Sequence, residues 1–154
     1  MTEINLSKIS EVELVYRRKV RANDRPKISN SQDAYSLFRE NWDDLTINLY
    51  EQFKVMLLDR NNRCMGISTI SSGGVSGTVV DAKLIFALAL KGRACNLIVA
   101  HNHPSGNLTP SSQDMSLTRK LCEAGKVLDT SILDHLILTD ESYYSIADEG
   151  LMPH

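Results

Sequence analysis

The sequence predicts an α/β fold in which helices flank a mixed β-sheet. Apolar runs of strand length alternate along the chain with segments whose apolar residues repeat at helical spacing, and this interleaving is typical of such folds. A turn at residues 59–62, rich in Asp and Asn, joins two strand patterns and predicts an antiparallel hairpin. The chain has 154 residues, of which 42% are hydrophobic and 23% are charged, and this suits one domain with a buried core.

Each element is predicted from its local pattern, in chain order. The predicted strands span residues 11–20, 47–58, 64–70, 96–100, 131–138 and 143–146. The predicted helices span residues 31–41, with Ser31 or Asn30 as N-cap, 82–91, begun by Asp81 and ended by Gly92, and 112–125. Between the hairpin and the second helix, residues 71–74 read Ser-Ser-Gly-Gly and predict a flexible junction.

Two histidines and an aspartate carry the most chemical information in the chain. His101 and His103 are two residues apart, Asp114 follows after ten more, and Ser111 stands three residues before Asp114. In an extended chain residues i and i+2 point the same way, so both imidazoles converge at the end of the strand at 96–100. Ser111 is expected to cap the next helix with Asp114 as its third residue, which returns Asp114 to the strand end.

Together these side chains predict a catalytic zinc site. Three protein ligands leave the fourth position of a tetrahedral Zn²⁺ ion free for water, and such a site makes hydroxide near neutral pH for attack on a carbonyl. Taken singly, the residues have simpler explanations: a lone histidine is usually structural, Asp114 alone could complete a capping box, and Ser111 alone is more often a cap than a catalyst. Their joint occurrence at this spacing favours the metal site.

The same pattern resembles the signature of a known enzyme family. His-x-His, seven residues, Ser, two residues, Asp is similar to the motif of the JAMM metalloproteases, whose domain is also called JAB or MPN. The run from His101 to Gly106, the pair Pro110-Ser111 and the segment 133–137 resemble the RadC branch of that family. The resemblance implies a three-layer JAB/MPN architecture of the cytidine deaminase-like kind, with Zn²⁺ as the cofactor.

The resemblance also suggests how the chain is divided. It covers about residues 29–149, and this leaves a basic extension at 1–28 and a tail at 150–154. Full-length RadC-type proteins often carry an N-terminal helix-hairpin-helix region, for which these 154 residues leave no room.

The resemblance further implies an upstream glutamate that acts as general base, and Glu51 is the candidate. The residues at 47–58 alternate as in a strand, and Glu51 falls on the apolar face between Leu49 and Phe53. A carboxylate there is costly unless it is paired or near a cation, and a metal-bound water would explain it. On the residues alone, a glutamate at the strand mouth that reaches solvent fits equally well. In the family pattern, Ser111 helps to hold the oxyanion of the tetrahedral intermediate.

His135 is a further histidine in an otherwise apolar strand, directly after Asp134. A catalytic zinc site can use a third histidine, but the JAMM ligand set is already complete with Asp114. We therefore expect His135 to hold the sheet edge or the metal-binding loop by a hydrogen bond rather than to bind the metal.

These observations lead to one expected function and two alternatives. The expected function is zinc-dependent hydrolysis of a peptide or isopeptide bond, with Glu51 as general base. The first alternative is association with DNA, because RadC-like proteins have long been labelled as DNA-repair proteins. The cations that could contact phosphates are Arg17, Arg18, Lys19, Arg21, Arg25 and Lys27. The net charge of −2 argues against a broad basic surface, and a solvated edge strand explains the run as well. The second alternative is a metal-binding interaction module without turnover.

Composition also predicts the compartment. The sequence has no apolar run of about 18 residues, which a membrane-spanning helix needs, and its N-terminus lacks the pattern of a signal peptide. Cys64, Cys95 and Cys122 are odd in number and widely spaced, so they predict reduced thiols in a cytoplasmic protein rather than a disulfide frame.

Overall fold

The computed structural model describes residues 6–13, 15–73 and 79–153, and these form a five-stranded sheet. Its strands are β1 (Gln52–Leu58), β2 (Cys64–Ser72), β3 (Asn96–Asn102), β4 (Ser131–Leu138) and β5 (Tyr143–Ser145). They lie in the order β2-β1-β3-β4-β5. β3 and β4 are parallel and the other neighbouring pairs are antiparallel, so the predicted mixed sheet and the hairpin of β1 with β2 are confirmed.

The described helices cover both faces of the sheet. They are α1 (Ser31–Asn41), α2 (Ala82–Lys91) and α3 (Ser112–Val127). One core packs α1 against the sheet through Ala34, Phe38, Met56, Ile98, Ala100, Leu136 and Leu138. The other packs α2 and α3 against the opposite face through Phe53, Val55, Ile85, Ala89, Leu97, Val99, Leu121 and Ile132. Each of the larger buried side chains contributes roughly 1.5–3 kcal/mol. Helices on both faces of the sheet give the expected three-layer α/β architecture.

The helices begin where their caps predict. Asn30 accepts a hydrogen bond from the backbone N–H of Asp33 at 2.9 Å, and Asp81 accepts one from the N–H of Lys83 at 2.9 Å. At the start of α3 the Ser111 hydroxyl accepts from the N–H of Asp114 at 3.0 Å, and the Asp114 carboxylate accepts from the N–H of Ser111 at 2.8 Å. Each cap is worth about 1 kcal/mol, and the last one is a complete capping box.

The predicted strand at 47–58 is wrong in its first five residues. The chain forms turns there, with the N–H groups of Thr46 and Ile47 both bonded to the carbonyl oxygen of Asp43. The Asp43 side chain also accepts from the N–H of Leu45 at 2.8 Å, and this local bond favours the turn over a strand. Ile47 is buried, whereas Leu49 is 58% exposed, so the apolar alternation before Glu51 does not report a common face.

The predicted strand at 11–20 is also wrong. The described residues of this segment are exposed and pair with no strand; Val12 is 91% exposed. A run of strand-forming residues becomes a strand only where a neighbour supplies backbone partners, and here the sheet ends at β2 on one side and β5 on the other. The chain joins the domain later, where the N–H of Ile28 bonds to the carbonyl oxygen of Asn62 and that of Cys64 to Pro26.

Smaller differences concern element ends, the termini and the thiols. β2 and α3 run two residues further than predicted, to Ser72 and Val127, and β5 ends at Ser145. Met152 packs against the core beside α2 and α3. The cysteines are free, with Cys122 buried and Cys95 exposed. Among the described residues, no helix is long and apolar enough to cross a membrane.

A register shift in β4 decides which way His135 faces. Leu97 pairs with Ile132, but the next residue of β3, Ile98, pairs with Asp134, so Leu133 is an extra residue in β4. Because of that insertion, His135 lies on the same face of the sheet as Ile132, three residues before it. This is the face on which His101 lies, two residues after Val99, the partner of His135.

Gly125 allows α3 to approach the residue before β4 closely, and we predict that replacing it destabilises the fold. A Cβ atom there would overlap with the carbonyl oxygen of Thr130. That oxygen is a backbone atom and cannot move aside as a flexible side chain could. Gly125→Ala should destabilise the fold by about 1–3 kcal/mol, because overpacking outweighs the gain in helix propensity. Gly66→Ala is the matched control, since a Cβ at Gly66 meets nothing within 4 Å. Chemical denaturation of both variants measures the effect, and equal stability would contradict it.

Candidate metal centre

The candidate residues meet where β3 ends and α3 begins. His101 is the next-to-last residue of β3 and is only 3% exposed, and His103 directly follows the strand. The ring of Phe53, the partner of His101 across the sheet, stacks on His101 with centroids 6.3 Å apart. The capping box holds Asp114 at the third position of α3, so a strand end and a helix start present these side chains to one point.

The structure brings His101, His103 and Asp114 together. The Nε2 atoms of the two histidines lie 2.9 Å apart. Oδ1 of Asp114 lies 3.2 Å from Nε2 of His101, and Oδ2 lies 3.3 Å from Nε2 of His103. The start of α3 thus lies beside the end of β3, as the sequence suggested. Metal binding by these residues stays a prediction.

Glu51 lies at the same point although it precedes β1 instead of belonging to it. Its Oε1 is 3.8 Å from Nε2 of His103, and its side chain is 18% exposed. Glu51, His101 and His103 offer one ligand atom each within 4.8 Å of one another and could hold a metal ion. Two carboxylates therefore compete to complete the cluster. Asp114 is the better ligand candidate, because it is close to both imidazoles and Glu51 is further from His103.

The hydrogen-bond partner of His103 fixes its proton. Nδ1 of His103 lies 2.5 Å from the carbonyl oxygen of Asn107. A carbonyl only accepts, so Nδ1 carries the hydrogen, and in the neutral ring the lone pair is on Nε2. That lone pair points at Nε2 of His101 and at the Asp114 carboxylate. Electron pairs this close repel each other unless a proton or a metal ion lies among them.

The donor set fits zinc. Imidazole nitrogen and carboxylate oxygen bind Zn²⁺ at about 2.0–2.2 Å, so tetrahedral ligand atoms lie roughly 3.3 Å apart. The separations among His101, His103 and Asp114, from 2.9 to 3.3 Å, need only small adjustment. Two imidazoles with one carboxylate also suit a transition metal better than calcium, which takes oxygen ligands.

Proton equilibria in the cluster follow from these contacts. The hydrogen bond to Asp114 raises the pKa of His103 above its ordinary value, although burial opposes this. Burial alone would raise the pKa of Asp114, but its close contacts with the imidazoles of His101 and His103 outweigh burial and hold that pKa well below the ordinary range. The contact with Asp114 therefore favours the protonated form of His103 in the metal-free protein.

Asn102, which sequence reasoning passed over, positions Glu51. It is fully buried, and its Nδ2 donates to the carbonyl oxygens of Ile47 and Tyr50 at 2.7 and 3.0 Å. Its Oδ1 accepts from the backbone N–H of Gln52 at 2.7 Å. These three bonds fasten the chain on both sides of Glu51 to the residue between the two histidines. The sequence did offer one sign of this role, because Asn102 is a polar residue at the end of an apolar strand.

His135 and Thr118 lie behind His101, and the sequence did not connect the three. Nε2 of His135 is 2.8 Å from Nδ1 of His101, and Nδ1 of His135 is 2.6 Å from the hydroxyl of Thr118. His135 contacts the site through His101, which agrees with the expected hydrogen-bonding role and not with ligation. Complete burial, together with nearby His101, holds the pKa of His135 well below its ordinary value, so the ring is neutral.

An open cleft of about 350 Å³ adjoins the cluster. Ser111 is exposed on its wall, together with Glu51, His103, Ser105, Asn107 and Thr109. The Ser111 hydroxyl already accepts from the N–H of Asp114, and a hydroxyl that accepts still has its own proton to donate. Ser111 can therefore cap α3 and donate into the cleft at the same time.

The three-layer fold and the His-x-His and Asp cluster at the end of β3 are those of a JAB-type domain. A family model described as the RadC-like JAB domain matches residues 28–151, and the chain belongs to that family.

Similar proteins come from several bacteria. A UPF0758 protein of Flavobacterium johnsoniae is 42% identical over 137 residues, which are 87% of this chain and 58% of that protein. A UPF0758 protein of Porphyromonas gingivalis is 36% identical over 136 residues, 88% of this chain and 60% of that protein. One of Staphylococcus haemolyticus is 35% identical over 128 residues, 83% of this chain and 55% of that protein. The chain thus spans little more than half the length of these relatives, whose names assign no activity.

The raised pKa of His103 predicts how the stability of the metal-free protein depends on pH. A pKa raised on folding, here that of His103, stabilises the fold below its ordinary value of 6.5, and the contribution is lost as the pH rises through the raised pKa. The melting temperature of chelator-treated protein should therefore fall from about pH 6 to pH 8. Asp114→Asn should flatten this slope, because it removes the partner that raises the pKa. Equal slopes for the two proteins would contradict the assigned contact.

Proposed function

We propose that this protein is a zinc-dependent hydrolase of the JAMM type that cleaves a peptide or isopeptide bond. The observation that carries the proposal is the convergence of two imidazole nitrogens, 2.9 Å apart, with the Asp114 carboxylate, beside a second carboxylate at the rim of an open cleft. Membership of the RadC-like JAB domain family supports it, since related domains are metallohydrolases.

In this proposal His101, His103 and Asp114 hold the ion. Bound zinc would supply Lewis acidity, lowering the pKa of a water and polarising the carbonyl of the scissile bond. The hydrogen bond from Nδ1 of His103 to Asn107 and the capping box at Asp114 orient two of the three ligands in advance. Loss of such a hydrogen bond to a metal ligand typically lowers metal affinity about 10–100-fold.

Glu51 and Ser111 have the acid–base and oxyanion roles. Glu51 is held within 3.8 Å of His103 and reaches the cleft, so its carboxylate can take a proton from the attacking water and give it to the leaving nitrogen. Ser111, on the same wall, donates its hydroxyl proton to the oxygen on which charge develops. Asn102 keeps Glu51 at this distance through the bonds to both sides of it.

The cleft wall favours a peptide-like substrate over a phosphorylated one. The described residues that line it offer hydroxyl and amide groups from Ser105, Asn107, Thr109 and Ser111, and include no Lys or Arg. An extended peptide carries donors and acceptors along its length and is held by such groups. Phosphate is commonly bound by Arg or Lys side chains, and this lining has neither.

Glu51→Gln is predicted to separate catalysis from metal binding. The variant keeps size and polarity but cannot take a proton, so hydrolysis should fall about 10²-fold or more while zinc stays near one ion per chain. The measurement is zinc content and cleavage of a fluorogenic peptide library and of an isopeptide-linked peptide. Glu40→Gln, the same change on the exposed face of α1, is the control and should alter neither.

Three outcomes would contradict parts of the assignment. Zinc lost from Glu51→Gln would make Glu51 a ligand, as its place beside His101 and His103 also permits. Zinc retained at full occupancy by a variant with both His101→Ala and His103→Ala would remove the metal site from this cluster. Unchanged cleavage by Glu51→Gln would remove Glu51 from the mechanism.

Association with DNA is the second candidate function, favoured by one observation. The side chains of Arg17, Arg18, Lys19 and Arg21 are exposed along a segment that pairs with no strand. Arg25 does not belong to this surface, because it is 9% exposed and bonded to Asp59 at 3.0 Å. Four free cations on one segment can contact phosphates, whereas the net charge of −2 does not favour broad binding.

Charge removal tests this candidate. If the segment binds DNA, replacing Arg17, Arg18, Lys19 and Arg21 by Ala should weaken the retardation of a duplex fragment and reduce the slope of log affinity against log salt by about 0.9 per lost phosphate contact. The matched control replaces Lys83, Lys91, Lys120 and Lys126, which are also exposed, by Ala. Equal effects of the two sets would mean that the segment has no particular role, and zinc-dependent cleavage should be unaffected by either.

A further inference from the structure

The mechanism proposed above makes no use of His135 and Thr118, two fully buried polar side chains directly behind the site. Together with His101 they form one hydrogen-bonded chain. It runs from Nδ1 of His101 to Nε2 of His135 at 2.8 Å, from Nδ1 of His135 to the Thr118 hydroxyl at 2.6 Å, and from that hydroxyl to the carbonyl oxygen of Asp114 at 2.8 Å.

The direction of every hydrogen bond in this series follows from the last acceptor, the carbonyl oxygen of Asp114. The carbonyl oxygen of Asp114 can only accept, so the single hydroxyl proton of Thr118 is donated to it. The Thr118 oxygen must then accept from Nδ1–H of His135. His135 is fully buried and its two ring nitrogens contact no carboxylate, so it is neutral, and its Nε2 accepts. His101 is left as the donor through Nδ1–H, with its lone pair on Nε2.

We propose that His135 and Thr118 are positioning residues that hold His101 in the Nδ1–H tautomer, so that the lone pair of Nε2 faces the metal position. The proposal rests on the proposed zinc site and extends it by assigning the residues that make His101 a competent ligand. The Asn107 carbonyl does the same for His103. Each imidazole of the site therefore has its own acceptor at Nδ1, one a main-chain carbonyl and the other a buried histidine.

Packing holds the rings in the orientation that this chain of bonds requires. Phe53 stacks on His101 with an interplanar angle of 11° and contacts His135 edge-on, with centroids 5.7 Å apart. The extra residue Leu133 turns His135 toward the face of His101. Thr118 lies one helical turn after Asp114 in α3, so the ligand and the end of the bonded chain share one rigid element.

Loss of the Thr118 hydroxyl has a specific consequence. Without an acceptor at Nδ1, His135 can move its proton to Nε2 and donate to Nδ1 of His101. His101 must then carry its proton on Nε2, where it points at the metal position and excludes the ion. Thr118→Val removes the hydroxyl at nearly constant volume and should reduce zinc affinity 10–100-fold, the usual scale for such partners. Thr118→Ser restores the hydroxyl and should restore the affinity.

The experiment measures tautomers and zinc affinity in the full chain. Long-range ¹H–¹⁵N spectra of metal-free protein, labelled with ¹⁵N-histidine, should show His101 and His135 as Nδ1–H in the wild type and His101 shifted toward Nε2–H in Thr118→Val. Affinity is measured by zinc competition with a chromophoric chelator. Thr130→Val is the matched control, because it removes another buried hydroxyl, one bonded to the carbonyl of Leu128 and remote from His101, and it should leave affinity unchanged.

Each outcome decides between distinct claims. Wild-type His101 found as Nε2–H overturns the inference, whether or not any variant folds. Equal affinity losses in Thr118→Val, Thr118→Ser and Thr130→Val also overturn it, since packing alone would then explain the loss. A wild type with the Nδ1–H tautomer that binds no zinc supports the bonded chain and instead refutes the proposed function.

Discussion

Repulsion among unshared electron pairs is the constraint around which this domain is organised. Nε2 of His101, Nε2 of His103 and the Asp114 carboxylate meet within 3.3 Å of one another, at a point mostly shielded from water. Such a cluster holds together only with a positive charge inside it. The packing of Phe53, the capping box of α3 and the hydrogen bonds of Asn102 hold these groups close together against their mutual repulsion.

The position of β3 within the sheet makes this arrangement possible. β3 has β1 on one side and β4 on the other, so the residues at its end can reach side chains from both neighbours. From the antiparallel side come Phe53 and the chain that carries Glu51; from the parallel side comes His135. Crossover connections of parallel strands place helices against the sheet, and α3, which makes this connection, begins directly at the site.

Local chemistry made part of this molecule predictable from its sequence. Asn30, Asp81 and Ser111 cap helices through bonds to residues two or three positions away, and such bonds need no knowledge of the fold. His101, His103 and Asp114 were predicted to converge for the same reason, since a strand end, a turn and a helix start fix their relative places. Contacts across the chain were beyond this reasoning. The contacts of Thr118 and Asn102 depend on how distant segments pack together. The face on which His135 lies depends on strand register and on one extra residue in β4.

Two errors in the predicted strands show the same limit: one strand was predicted five residues too long, and the strand at 11–20 is not formed by its described residues. The five residues before β1 alternate as in a strand, but the N–H of Leu45 donates a hydrogen bond to the Asp43 side chain and the segment forms turns instead. The segment at 11–20 has strand-forming residues, but its described part has no neighbour to pair with. Pattern predicts what a segment prefers, whereas the presence of a partner decides what it does.

The first turns of α3 have a mechanical consequence. Ser111, Asp114 and Thr118 lie on one short stretch of helix, and they serve as the hydroxyl at the cleft, the carboxylate of the cluster and the end of the bonded chain. A shift of this helix end by a fraction of an ångström would misplace all three at once, so these three parts of the site are mechanically coupled rather than independent. Any contact that displaces the start of α3, whether by a substrate in the cleft or by another protein, would therefore change the whole centre.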